Sequence, residues 1–81
     1  MLRCKMRVQS VTHNIGPSGE VESEEARLMA VYSDKPDSEN AQWSKWTPSA
    51  DFNITINNPD AFGQLSRDHE FYVDFTPASV E

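Results

Sequence analysis

Three segments of the chain alternate apolar and polar residues with the two-residue period of a half-buried β-strand. They are residues 2–12, 51–57 and 70–76. Because successive side chains of a strand point to opposite faces, each segment has one apolar face that requires a core. The predicted core contains Met6, Val8, Leu28, Ala30, Phe52, Ile54, Ile56, Phe71, Val73 and Phe75.

Two further segments have a less decisive pattern. Residues 26–33 combine high helix propensity with alternation, and we assign them to a strand because an isolated helix this short is marginal. Residues 41–47 are also predicted to form a short strand, in which Trp43 and Trp46 would point to opposite faces. The acidic segment 20–25, which precedes the first of these, is interpreted as a solvated loop or strand edge.

Residues 58–63 have the features of one helical or 3₁₀ turn, because an asparagine cap precedes a proline and a glycine closes the segment. The result is an all-β prediction: five antiparallel strands with a short helical turn before the last one. A chain of this size protects its strand edges best by closing a small barrel, either SH3-like or OB-like. The position of the helical turn favours the SH3-like order.

The 81 residues are enough for one small domain, predicted to span 1–81 with a loose tail at 77–81. No apolar run has the length of a membrane span, and no secretory signal opens the chain, so we expect no membrane association. A single cysteine and two separated histidines give no disulfide framework and no metal-ligand spacing. Neither a cofactor nor a catalytic residue is predicted, since His13 and the Asp68–Glu70 segment resemble surface residues more than an acid–base site.

The charge balance argues against nucleic acid as a partner. Thirteen acidic and seven basic residues give a net charge of −6, whereas affinity for phosphates comes from lysine and arginine. Arg3, Lys5 and Arg7 alternate along the first strand and therefore share a face. That face is either solvated or a small basic stripe that contacts an anion or an acidic partner.

The strongest candidate for a binding surface is the aromatic residues near the middle of the chain together with an outward tyrosine on the last strand. Tryptophan and tyrosine are enriched at interaction hot spots, although a small core also needs bulky side chains, so both readings remain open for the two tryptophans. Acidic residues nearby would form a rim that attracts a basic partner. The predicted protein-binding residues are Trp43, Lys45, Trp46 and Tyr72, with Glu22, Glu24 and Glu25 as the rim.

Three segments of the sequence carry a family resemblance. They are TPSA at 47–50, NPDAFG at 58–63 and YVDFTPA at 72–78. In this order the segments resemble a family of small proteins encoded by tailed bacteriophages and prophages, over roughly residues 5–78. The resemblance implies expression inside the host bacterium and no secretion, but it implies no particular activity.

Two hypotheses for function follow. The first is a non-enzymatic protein-binding module that acts on a host or phage protein in the host bacterial cytoplasm. The alternative is a virion structural protein, such as a capsid-decorating or head-associated factor. A homodimer is possible in either case because free strand edges can pair with a second copy.

Overall fold

A single antiparallel sheet with a short helix on one side forms the fold. The computed structural model describes residues 2–81, so Met1 of the predicted domain lies outside the described residues. The strands are β1 (Leu2–Ile15), β2 (Val21–Ala30), β3 (Asp51–Ile56) and β4 (Glu70–Phe75). The helix is α1 (Glu39–Trp46), and Pro59–Ala61 form a 3₁₀ turn.

The four strands lie in the order β3-β2-β1-β4. Every neighbouring pair is antiparallel, and no pairing between β3 and β4 closes the sheet among residues 2–81. The predicted five-stranded barrel is therefore wrong, although the mainly antiparallel β architecture is confirmed. Barrel closure fails because the segment expected to supply the third of five strands forms α1 instead.

The prediction of a strand at 41–47 missed local helix signals. Ser38 caps the helix, since its side chain accepts a hydrogen bond from the Ala41 N–H at 3.1 Å. Glu39 lies in the first turn and Lys45 in the last, where the charge of each interacts favourably with the helix dipole. Pro48 follows the C-cap at Thr47 and cannot continue the helix.

A tight hairpin joins β1 and β2, and it draws the acidic segment 20–25 into the sheet. Gly19 adopts a φ of 85° in the turn and donates its N–H to the Gly16 carbonyl at 3.0 Å. Because the register pairs Thr12 with Glu25 and His13 with Glu24, neighbouring acids point to opposite faces of β2. The interpretation of this segment as a loop is corrected. The strand predicted at 26–33 is confirmed as far as Ala30, whereas residues 31–33 lie beyond the end of β2.

A β-bulge in β1 changes which residues of that strand point inward. The register pairs Val8 with Leu28 and then Ser10 with Arg27, which leaves Gln9 as the extra residue. Beyond the bulge the odd-numbered residues take the inward positions. Val11 consequently packs against the core.

The core lies on one face of the sheet, which we call the apolar face. Its buried residues are Cys4, Met6, Val8, Ala26 and Leu28, with Val11, Ala50, Ile54, Leu65, Phe71 and Val73 packed against them. The opposite, polar face carries the charged residues of β1 and β4 and also α1. Of the predicted core, Met6, Val8 and Leu28 are buried, whereas Phe52 is 37% and Phe75 50% exposed.

The incomplete burial has a structural cause. The connection between β3 and β4 crosses the apolar face at one end of the sheet, where Leu65 packs on the core and the Gly63 N–H bonds to Glu24. Phe52 and Phe75 lie at the opposite end, together with Leu2, which is 62% exposed. That end of the apolar face is consequently open.

Candidate functional site

Polar contacts hold α1 against the polar face of the sheet. Glu39 Oε2 accepts hydrogen bonds from Lys5 Nζ at 2.7 Å and from the Tyr72 hydroxyl at 2.5 Å. Asn40 Nδ2 donates to both carboxylate oxygens of Glu70, at 3.1 and 3.0 Å. Although α1 contains no buried residue, these bonds and the contact of Trp43 with Tyr72 hold it on the sheet.

The same contacts shift the ionisation of the groups that form them. The hydrogen bond from Lys5, followed by that from Tyr72, lowers the pKa of Glu39 below its ordinary value. The hydrogen bond to Glu39 in turn raises the pKa of Lys5 and of Tyr72. The three groups therefore stabilise the charge states that they hold at neutral pH.

Tyr72 connects the helix to the basic residues of β1. Its ring lies 5.7 Å from the Trp43 ring, at an interplanar angle of 56°. The Arg3 guanidinium and the Lys5 ammonium lie 5.3 and 5.5 Å from the tyrosine ring centre, within the range of cation–π attraction. Of the predicted surface, Trp43 and Tyr72 are thus in contact, and Tyr72 remains 51% exposed on the polar face.

The basic stripe of β1 is neutralised by acidic neighbours. Arg3 forms a bidentate ion pair with Asp74, in which Nε donates to Oδ1 at 2.6 Å and Nη2 donates to Oδ2 at 3.0 Å. Lys5 lies between Glu39 and Glu70. Arg7 lies 3.5 Å from Asp68. The stripe therefore presents little free positive charge to an anion or an acidic partner.

Trp46, the last residue of α1, lies at a groove at the open end of the apolar face. The groove has a volume of about 420 Å³ and is lined by segments from both ends of the chain and from the 46–52 connection. Trp46 is 74% exposed, which makes it the more exposed of the two indoles. The residues that line the groove are Leu2, Arg3, Cys4, Met6, Trp46, Thr47, Pro48, Ser49, Ala50, Asp51, Phe52 and Phe75.

The charged groups that line the groove have partners outside it. Arg3 is bonded to Asp74, and Asp51 Oδ2 accepts from Arg27 Nη2 at 2.8 Å. Lys45 is exposed in the last turn of α1. The groove is therefore mainly apolar, with its charged side chains already paired.

The predicted acidic rim does not surround the tryptophans. Glu24 pairs in register with His13, eight positions along β1 from Lys5, which corresponds to roughly 25 Å at about 3.3 Å per residue. Glu22 and Glu25 are exposed at that same distant end, whereas Glu24 is 0% exposed. A buried carboxylate cannot act as a rim, and Glu24 lies instead beneath the connection between β3 and β4.

The sequence did not predict the environment of Glu24. Its Oε1 accepts from His13 Nε2 at 2.9 Å and from the Gly63 N–H at 3.1 Å, and Oε2 has no hydrogen-bond partner among residues 2–81. The bulge at Gln9 places His13 on the same face as Val8, and the hairpin register then places Glu24 beside it. A sequence pattern without the bulge puts His13 on the opposite face, so only the register reveals this pair.

Comparison of the chain with models of protein families, with curated proteins and with solved structures finds no match. Within residues 2–81 no helix has the length and apolar character needed to cross a membrane. The same part of the chain contains no cluster of three or more histidine, cysteine or acidic residues that could hold a metal ion.

Proposed function

We propose that this chain is a protein-binding module, encoded by a phage, that acts on a host or phage protein inside the infected bacterium. The observation that carries the proposal is the convergence of exposed apolar side chains on one groove. Trp46, Leu2 and Phe75 are 74%, 62% and 50% exposed, and all three line it. Contiguous apolar surface with a tryptophan at its edge is typical of protein interaction sites.

The composition of the groove supports a protein partner over a small polar ligand. A small-molecule site usually combines apolar walls with a few convergent polar groups that fix the ligand. Here the charged groups of Arg3 and Asp51 are bonded to Asp74 and Arg27. Apolar side chains of a partner fit this surface without leaving those charges unpaired.

Two of the three segments that carry the phage resemblance contribute to the groove. Residues 47–50 form part of its wall, and Phe75 belongs to the 72–78 segment. Trp46 and Leu2 lie outside these segments, so the resemblance supports only the 47–50 wall and Phe75 as parts of a surface shared with that family.

The experiment is affinity capture from bacterial lysate with the tagged chain and two variants. Trp46→Ala removes the most exposed aromatic of the groove. Tyr32→Ala is the matched control, because Tyr32 is 75% exposed and does not line the groove. We expect Trp46→Ala to lower the recovery of specific partners by about tenfold or more, as for an interaction hot spot, and Tyr32→Ala to leave it unchanged.

Equal recovery with Trp46→Ala and with the unmodified chain would contradict the proposed surface. Circular dichroism of both variants checks that each retains the fold. Incorporation of the chain into purified phage particles would contradict a role confined to the infected cell.

A further inference from the structure

Strand β1 extends beyond the end of strand β2, and this leaves part of its edge without a neighbour. The last β1–β2 register pair is Met6 with Ala30, whereas the pairing of β1 with β4 continues to Leu2 and Phe75. The final backbone bond on the β2 side runs from the Val31 N–H to the Lys5 carbonyl at 3.2 Å. Residues 2–4 therefore have a strand neighbour on one side only.

Backbone alternation shows which groups face the vacant side. Val8 exchanges hydrogen bonds with His69 and Asp68 on the β4 side, whereas the Lys5 carbonyl faces β2. Because the direction alternates along an antiparallel strand, the N–H and carbonyl of Arg3 point the same way as those of Lys5. Within residues 2–81 no backbone hydrogen bond joins Arg3 to the loops on that side.

The vacant strand position coincides with the groove. Arg3 and its neighbours Leu2 and Cys4 all line it, and Phe52 near the start of β3 lines it as well. Where β2 lies between them, strands β1 and β3 are about two strand spacings apart, or roughly 10 Å. Past the end of β2 the chain continues from β3 back through residues 46–50, so an extended segment in line with β2 would lie between β1 and this wall.

The charges select among the possible occupants. The groove itself contributes paired charges only, namely Arg3 with Asp74 and Asp51 with Arg27. The chain as a whole carries a net charge of −6, so a second copy or an acidic segment is repelled at long range. A segment with an uncharged, apolar centre and basic flanks is attracted.

We propose that the groove binds its partner by β-augmentation: an extended segment with alternating apolar residues and basic flanks continues the line of β2 and pairs with the backbone of Arg3. This inference rests on the proposed function and specifies how the partner is recognised. The N–H and carbonyl of Arg3 offer two backbone hydrogen bonds that orient any extended segment, and Trp46 and Phe75 contact its side chains.

The test uses the isotopically labelled full chain and a capped synthetic peptide of alternating valine and threonine with a lysine at each end. Binding is followed by NMR, together with exchange of individual backbone amide protons. We expect exchange at Arg3 to slow by about tenfold or more when the peptide binds, because its N–H gains a partner. The amide of Cys4 is the internal control, since it faces β4 and is already paired.

Two modified peptides test the backbone pairing and the charge preference separately. N-methylation of alternate residues removes the donors along one peptide edge, and it should weaken binding by about tenfold when that edge faces β1. A peptide with glutamate at both ends should bind more weakly than the lysine peptide at low salt, and the difference should shrink as salt is added.

Three outcomes would overturn the inference. They are no binding of the lysine peptide, binding in the groove without slower exchange at Arg3, and a monomer–dimer equilibrium that slows Arg3 exchange without peptide. The second outcome identifies an occupant that docks through side chains, and the third identifies a second copy. If partner capture still depends on Trp46 in these cases, the proposed function stands and only the mode of recognition is wrong.

Discussion

The Tyr72 hydroxyl donates a hydrogen bond to Glu39 Oε2, with 2.5 Å between the two oxygens. This bond joins the last strand to the first turn of α1. Lys5 Nζ reaches the same oxygen at 2.7 Å, so one carboxylate anchors the helix to two strands of the sheet. We therefore expect the position of Trp46, at the far end of the helix, to respond to the ionisation of Glu39.

The first prediction is that acid releases α1 from the sheet. The pKa of Glu39 in the folded protein lies below its ordinary value of 4.5, mainly through Lys5 and then Tyr72. A lowered carboxyl pKa contributes stability that is fully present above the unfolded value and is lost as pH falls through the folded value. We therefore expect Trp43 fluorescence to change below about pH 4.5, measured in a Trp46→Phe background so that one indole reports.

Glu39→Gln provides the control for this titration. It removes the charge but retains an amide oxygen that can accept hydrogen bonds. The variant should show a weakened contact between helix and sheet already at neutral pH, and its Trp43 signal should lose the acid transition. A titration curve that superimposes on that of the unmodified carboxylate would show that Glu39 does not control the helix.

The second prediction concerns the buried carboxylate. Glu24→Ala leaves the Gly63 N–H without its acceptor and should lower the free energy of unfolding by about 1–3 kcal/mol. Glu24→Gln retains one acceptor oxygen and should cost less, under about 1 kcal/mol. Chemical denaturation measures both, and amide exchange at Gly63 should accelerate in the alanine variant.

Glu25→Ala is the matched control for Glu24, since it removes the neighbouring carboxylate on an exposed position of the same strand. Its effect should stay within about 0.5 kcal/mol, as for ordinary surface substitutions. Similar losses for Glu24→Ala and Glu25→Ala would contradict a role of Glu24 in holding the connection between β3 and β4.

The third prediction distinguishes the covered from the open end of the apolar face. Leu28 is 3% exposed, and Leu28→Ala should lower the free energy of unfolding by about 2–5 kcal/mol. Phe75 is 50% exposed, so Phe75→Ala should cost only about 1 kcal/mol despite the larger side chain. The reverse order in denaturant melts would mean that the groove is closed in solution.

The strands were predictable where one face of the sheet is consistently apolar. The alternation at 51–57 and 70–76 matches β3 and β4, because burial on one side imposes a two-residue period. The outward position of Tyr72 follows from the same period.

The helix was not predicted because local signals for helix and for strand compete in its sequence. The open sheet was not predicted because it depends on how much of the apolar face the loops cover. In α1 the three-residue spacing of Trp43 and Trp46 suits a helical face, but the surrounding strands favoured a β assignment. The exposure of Phe75 follows from how far the 57–69 connection reaches across the sheet. No residue pattern encodes that distance.

The candidate site was predicted only in part, for a related reason. The aromatic contact between Trp43 and Tyr72 and the exposure of Trp46 agree with a surface near α1. The acidic residues are remote because the hairpin register and the bulge at Gln9 determine their position along the sheet. Register is a long-range property that the acidic segment itself does not contain.

The last prediction is that the chain does not bind nucleic acid appreciably. The three bases that alternate on β1 are each paired with an acid: Arg3 with Asp74, Lys5 with Glu39, and Arg7 with Asp68. Neutralised side chains release few counterions from a phosphate backbone, and the net charge of −6 repels it. At about 0.15 M salt we expect the dissociation constant for DNA to exceed ~10⁻⁴ M.

Removal of the acidic partners tests whether ion pairing is the reason. A variant with Glu39→Gln, Asp68→Asn and Asp74→Asn keeps the shape of these side chains and changes the net charge from −6 to −3. In fluorescence anisotropy at low salt it should bind DNA more tightly than the unmodified chain, and the affinity should fall as salt rises. Submicromolar DNA binding by the unmodified chain near 0.15 M salt would show instead that Arg3, Lys5 and Arg7 exchange their acidic partners for phosphates.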